Sequence, residues 1–171
     1  MANPLSVLGI IHTLVSVPPI VFGVWAFVRD GRIDPGTRVG KAYVVSMVTS
    51  VVTSFGLSST GGFNPGHALG LIALLLMAVG AAAPALGVFG RATEYVRTLT
   101  YSASFMVLLV PGINETLTRL PAGKPLADSP QSPLVQTALA TLLGLFLVGA
   151  TYQVLRLRAR MYGHVGGVPN R

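Results

Sequence analysis

Apolar residues in this chain fall in long blocks separated by short polar breaks. They neither alternate, as in a half-buried strand, nor recur every three to four residues, as on a helix that wets one face. The blocks cover residues 5–28, 42–57, 66–88, 98–117 and 134–155. They are near the roughly 20 residues needed to cross a hydrocarbon core about 30 Å thick. Arg29-Asp30-Gly31-Arg32 stops the first, and the fifth runs into Arg156-Leu157-Arg158-Ala159-Arg160. The second is rich in Val, Ser and Thr, which in water would suggest a strand. In a bilayer every backbone group must be satisfied internally, so it too reads as a helix. The breaker cluster 58–65 and the prolines Pro121, Pro125, Pro130 and Pro133 read as loops. The pattern predicts an all-α, polytopic integral membrane bundle of five transmembrane helices. One domain would cover 1–160 and a short cytoplasmic tail 161–171.

Charge decides the orientation. Five spans put the termini on opposite sides. One side collects Arg29, Arg32, Arg38, Lys41, Arg91, Arg97, Arg156, Arg158, Arg160 and Arg171, and the other only Arg119 and Lys124. Basic residues in short loops mark the cytoplasm, so the N-terminus is expected outside and the C-terminus inside a bacterial inner membrane. No Lys or Arg precedes the first block, which reads as a retained helix rather than a cleaved leader. The chain has 171 residues, of which 51% are hydrophobic and 10% charged, well below the roughly 25% charged of soluble domains. The net charge of +7 therefore points to lipid headgroups and insertion bias, and not to nucleic acid. The chain contains no cysteine, which excludes a disulfide framework, thiolate metal sites and a cysteine nucleophile.

Few ionisable residues lie inside the blocks, and such groups are costly enough to be functional candidates. His12 lies in the first span, His67 opens the third, and Glu115 is near the end of the fourth. Chain direction brings all three to the outer half, with Asn64, Asn114 and Arg119 around the mouth of the cluster. Two imidazoles and a carboxylate suit a transition metal. Two imidazoles also suit axial haem ligation, and a His/Glu pair suits proton exchange with a quinone-like headgroup. Each residue equally has a structural reading. His67 would cap its own helix behind Asn64, Glu115 would pair with Arg119 one turn on, and His12 would bond a Ser or Thr of a neighbouring helix.

Small and polar stripes predict the packing: Gly9, His12, Ser16, Pro19 and Gly23; Ser46, Ser50 and Thr53; Gly66 and Gly70; Thr137, Thr141 and Gly144. Pro111-Gly112 predicts a mid-span kink of the kind that lines transporter sites, although no internal repeat accompanies it. The loop 29–41 reads as solvated stop-transfer sequence, and His164 as a solvated bystander. No phosphate loop, nucleotide fingerprint or nucleophile motif occurs. The expected function is ligand binding at the outer His/Glu cluster. The alternative is an accessory or structural subunit packed against a membrane-protein partner or a second copy, and a small transporter ranks behind both.

Over residues 8–120 the chain resembles a widespread group of uncharacterised bacterial membrane proteins of four to five spans. In these a first-helix His precedes a basic loop, a Gly-basic-x-Tyr motif begins the next helix, and an aromatic residue with Arg begins a later one. The matching positions are His12, Gly40-Lys41-Ala42-Tyr43, and Tyr95 with Arg97. The loop histidines usual in that group are missing. Gly36, and Ala92 or Glu94, stand where they would fall. The resemblance implies the fold and carries no activity.

Overall fold

The computed structural model describes residues 7–56, 62–121 and 123–163. The loop residues 57–61, the tail from 164 on, and His164 with it lie outside that set. Every regular element among the described residues is helical, with five α-helices: α1 (Val7–Asp30), α2 (Arg38–Ser54), α3 (Pro65–Leu86), α4 (Thr93–Arg119) and α5 (Pro133–Gly163). A single 3-10 turn, Gly90–Ala92, leads into α4.

Four of these, α1, α3, α4 with its leading turn, and α5, are long and apolar enough to cross a membrane. The chain thus has the make-up of a multi-pass membrane protein. The fifth helix, α2, is 17 residues long, or about 25 Å at 1.5 Å per residue, and carries Arg38 and Lys41 in its first turn.

All the helices but α3 outrun their apolar blocks at the basic end. Charge ends an apolar block without ending a hydrogen-bond ladder. Accordingly α2 starts at Arg38, α4 starts at Thr93, and α5 runs through its arginines to Gly163. Backbone chemistry sets the true ends. Gly31 takes φ 71° after α1 and its N–H returns to the Phe27 carbonyl, while Gly87 takes φ 66° after α3. Both are left-handed caps that suit glycine. Thr37 caps α2 by accepting the Gly40 N–H at 3.0 Å. α4 passes unbroken through Pro111 and Gly112.

The helices pack chiefly as α1 on α2 and α3 on α4, with smaller α2–α3 and α1–α4 seams, and the backbone of α5 approaches α4 alone. The core comprises Ala26, Ile33, Val39, Tyr43, Met47, Val51, Ala73, Met77, Tyr101 and Val107. Apolar burial gives helices little reason to associate in lipid, where close packing and interhelical hydrogen bonds do the work. Glycines make that approach. A Cβ on Gly23 would overlap the Phe105 ring, and one on Gly80 would overlap Thr100 and crowd Tyr101.

The expected stripes are met unevenly. Pro19 and Gly23 are buried and Ser50 lies inside, whereas Thr137, Thr141 and Gly144 are exposed. α5 buries Val135, Gln153 and Leu157 instead. Small residues help only where a neighbour comes close, and a Cβ built on Gly144 or Gly149 would meet nothing within 4 Å. Of the Gly66/Gly70 pair, a Cβ on Gly70 would stand 3.0 Å from Val51, whereas one on Gly66 would meet only its own Asn64 cap.

Candidate functional site

His12 is half-buried on α1 and faces α2. Its Nδ1 lies 2.9 Å from Thr53 Oγ1, and its Nε2 lies 3.3 Å from Ser16 Oγ. The proton positions follow from the neighbours. Thr53 spends its hydroxyl proton on the Ser50 carbonyl at 2.9 Å, so it accepts from His12 Nδ1–H. His12 Nε2 then accepts from Ser16, which leaves Ser50 to donate to Ser16 across 2.8 Å. The result is one directed chain, Ser50 to Ser16 to His12 to Thr53, joining α1 and α2 inside the span. The partners of His12 are hydroxyls, not Glu115 or His67.

His67 is 4% exposed and serves the start of α3. The Asn64 side chain accepts the His67 N–H at 3.1 Å, and His67 Nδ1 accepts the Asn64 N–H at 3.3 Å. This is a reciprocal capping box with Pro65 at the first helical position. With Nδ1 accepting, the ring proton sits on Nε2 and is donated to the Ser54 carbonyl at 3.0 Å. The ring stacks on Phe55 with centroids 4.9 Å apart, and Phe63 tilts against it at 5.7 Å. Both nitrogens are in use, so neither offers a lone pair to an ion while the cap is intact.

Glu115 and Arg119 form an exposed i, i+4 ion pair, with side chains 52% and 61% accessible. Asn114 beside them has a buried Oδ1 with no hydrogen-bond partner. His12 meets the C-terminal end of α2 at Thr53 and His67 meets it at the Ser54 carbonyl, while the backbones of α1 and α3 do not come close to one another. Among the described residues, no three His, Cys, Asp or Glu side chains are placed to hold a metal ion. The set His12, His67 and Glu115 is thus not brought together. Binding of a metal or haem by these residues therefore finds no support among the described residues.

The opposite end of the bundle holds what sequence reasoning missed. Arg32 and Asp34, from the loop expected to be solvated, close a ring with Glu94 and Arg97 of α4. Arg32 bonds Asp34 at 2.9 Å and Glu94 at 2.9 Å, while Arg97 bonds Asp34 at 3.1 Å and approaches Glu94 at 3.7 Å. Asp34 also accepts the Gly36 N–H at 2.9 Å, and Gly40 lies so close under the Asp34 carbonyl that no Cβ would fit. Gly36 thus adjoins this ring and Glu94 is one of its members. Ile33, 1% exposed, plugs the loop into the core.

α5 joins the same end through Gln153. Its Oε1 accepts from Ser102 at 2.8 Å, and its Nε2 donates to the Gly31 carbonyl at 2.9 Å. Arg156 donates to the Asp30 carbonyl at 3.2 Å. Alternating charge at Arg29, Asp30, Arg32 and Asp34, set against Glu94 and Arg97 three residues apart on α4, was the available signal.

Comparison of the chain with protein-family models, with curated proteins and with solved structures finds no match.

Proposed function

We propose that this chain is an accessory or structural subunit of a membrane assembly, packed against a partner membrane protein or a second copy of itself. The observation behind this reading is that polar side chains within the helices are used as interhelical fastenings. His12 with Thr53, Ser16 with Ser50, Tyr43 with Ser104, and Ser102 with Gln153 each tie one helix to another. His67 is likewise consumed by its cap and by Ser54. The test is purification in mild detergent, followed by metal analysis and an absorption spectrum. On this reading His12→Ala and Glu115→Ala leave both unchanged, and His12→Ala lowers only the unfolding midpoint. Stoichiometric metal or a haem spectrum lost in His12→Ala would refute it.

A second reading draws support from one contact. The Ser16 bond to His12 Nε2, at 3.3 Å, is the longest in the chain of hydroxyls, and the ring is half-exposed. A quinone-like carbonyl could accept the Ser16 proton, and the hydroxyl of its reduced form could donate to that nitrogen. Saturable quenching by a short-chain quinone, abolished in His12→Ala, would favour this reading over the first.

The proposed setting is a bacterial inner membrane crossed five times, α2 included, with the N-terminus outside and the C-terminus in the cytoplasm. Contacts support the charge argument. Gln153 to Gly31, Arg156 to Asp30 and Arg32 to Glu94 gather the ends of α1 and α5 and the start of α4 into one basic layer. Single cysteines introduced at Ser59, Gly123 and Gly166 would test the orientation. An impermeant reagent should label the first two in intact cells and spare the third, and a labelled Gly166→Cys would reverse it.

A further inference from the structure

At the basic end, an open groove of about 500 Å³ lies between the start of α4 and the last turns of α5, lined by Arg32, Arg91, Glu94, Leu157, Arg160 and Met161. Arg32, Leu157 and Arg160 also wall a much smaller cavity of about 10 Å³, whose other lining residues include Thr98, Gln153 and Arg156. The cavity therefore lies beside the groove, behind three walls common to both. Thr98 is 2% exposed, yet its hydroxyl has no hydrogen-bond partner. A buried hydroxyl without a partner is uncommon and calls for an explanation, and a space of about 10 Å³ admits one oxygen atom.

We propose that this groove binds the headgroup of an anionic phospholipid, its phosphate held by Arg91 and Arg160 and one of its oxygens accepting the Thr98 hydroxyl proton. Three features favour lipid over a soluble anion. The groove opens where the apolar stretch of α5 gives way to arginines, the depth at which headgroups lie. Its floor mixes Leu157 and Met161 with the arginines, which suits glycerol and the first acyl carbons beside a phosphate. The carboxylates at the groove and cavity are already paired, Glu94 with Arg32 and Arg97 and Asp30 with Arg29, and Arg91 adds a further positive charge to the lining. Guanidinium groups grip phosphate oxygens in pairs, and a basic pocket between helices on the cytoplasmic side is a recurrent headgroup site. The proposal rests on membrane residence and is independent of the accessory-subunit reading.

The test uses the full chain reconstituted in vesicles of phosphatidylcholine alone and in equimolar phosphatidylcholine and phosphatidylglycerol, with the thermal unfolding midpoint as readout. The midpoint should rise with phosphatidylglycerol. Titration of the lipid should show binding about five-fold weaker for each of Arg91→Gln and Arg160→Gln. Thr98→Val should weaken it again, while Arg119→Gln, at the far end of the bundle, should not. Equal midpoints in the two lipids, or a shift that survives the Arg91→Gln/Arg160→Gln pair, would overturn the site. Inorganic phosphate in phosphatidylcholine vesicles should give no shift, and a shift equal to that of phosphatidylglycerol would overturn the lipid assignment.

Discussion

Tyr43 and Ser104 form a buried pair whose two halves should fail unequally. Tyr43 on α2 and Ser104 on α4 are both 0% exposed, and their oxygens lie 2.9 Å apart. Ser104 donates its own proton to the Tyr101 carbonyl at 2.8 Å, so Tyr43 is the donor of the pair. Tyr43→Phe removes that donor and leaves Ser104 still bonded to Tyr101. The loss is one net hydrogen bond, about 0.5–1.5 kcal/mol, nearer the lower figure in a bilayer. Ser104→Ala instead strands the Tyr43 hydroxyl with no acceptor in a closed core, at a cost of about 1–3 kcal/mol. Adding Tyr43→Phe to Ser104→Ala removes the stranded group, so the double variant should be more stable than Ser104→Ala alone. Unfolding midpoints from sodium dodecyl sulfate titration in mixed micelles would order the four proteins. A double variant weaker than Ser104→Ala would refute the donor assignment and the reasoning built on it.

Further expectations can be checked in the same titration. Gly80→Val forces a side chain into Thr100 and Tyr101 and should destabilise by about 1–3 kcal/mol, whereas Gly66→Ala should be close to neutral. Asp34→Asn removes the carboxylate that joins Arg32 to Arg97; it should cost about 1–3 kcal/mol, with a smaller difference from wild type at high salt. Asn64→Ala breaks the cap of α3 and should cost about 1 kcal/mol, with faster amide exchange confined to the first turn of that helix.

The helical class was legible because apolar block length is a direct readout of bilayer thickness, and the described residues hold five helices. Individual partners were less legible, for reasons that differ by residue. The capping role of His67 could be read from Asn64-Pro65-Gly66-His67, since a cap is local in sequence. The hydroxyl partners of His12 lie on another helix, and Ser16, Ser50 and Thr53 became a chain only when the rotation of α1 against α2 was known. Arg32 and Asp34 looked solvated because a loop rich in both charges usually is. Their ion pairs needed Glu94 and Arg97, some 60 residues away, to arrive beside them. Thr137, Thr141 and Gly144 misled for the opposite reason: small residues at helical spacing signal a close neighbour only when one is present.

The hydrophobic core joining α1 through α4 contains no described residue of α5, which packs on α4 and hydrogen-bonds to the end of α1 through Gln153 and Arg156. A chain inserted from its N-terminus would therefore have its central packing within reach before α5 left the ribosome. α5 would close onto α4 afterwards, as a strap whose latch lies in its second half. A chain truncated before Pro133 and released from the ribosome should already resist protease in its first four helices.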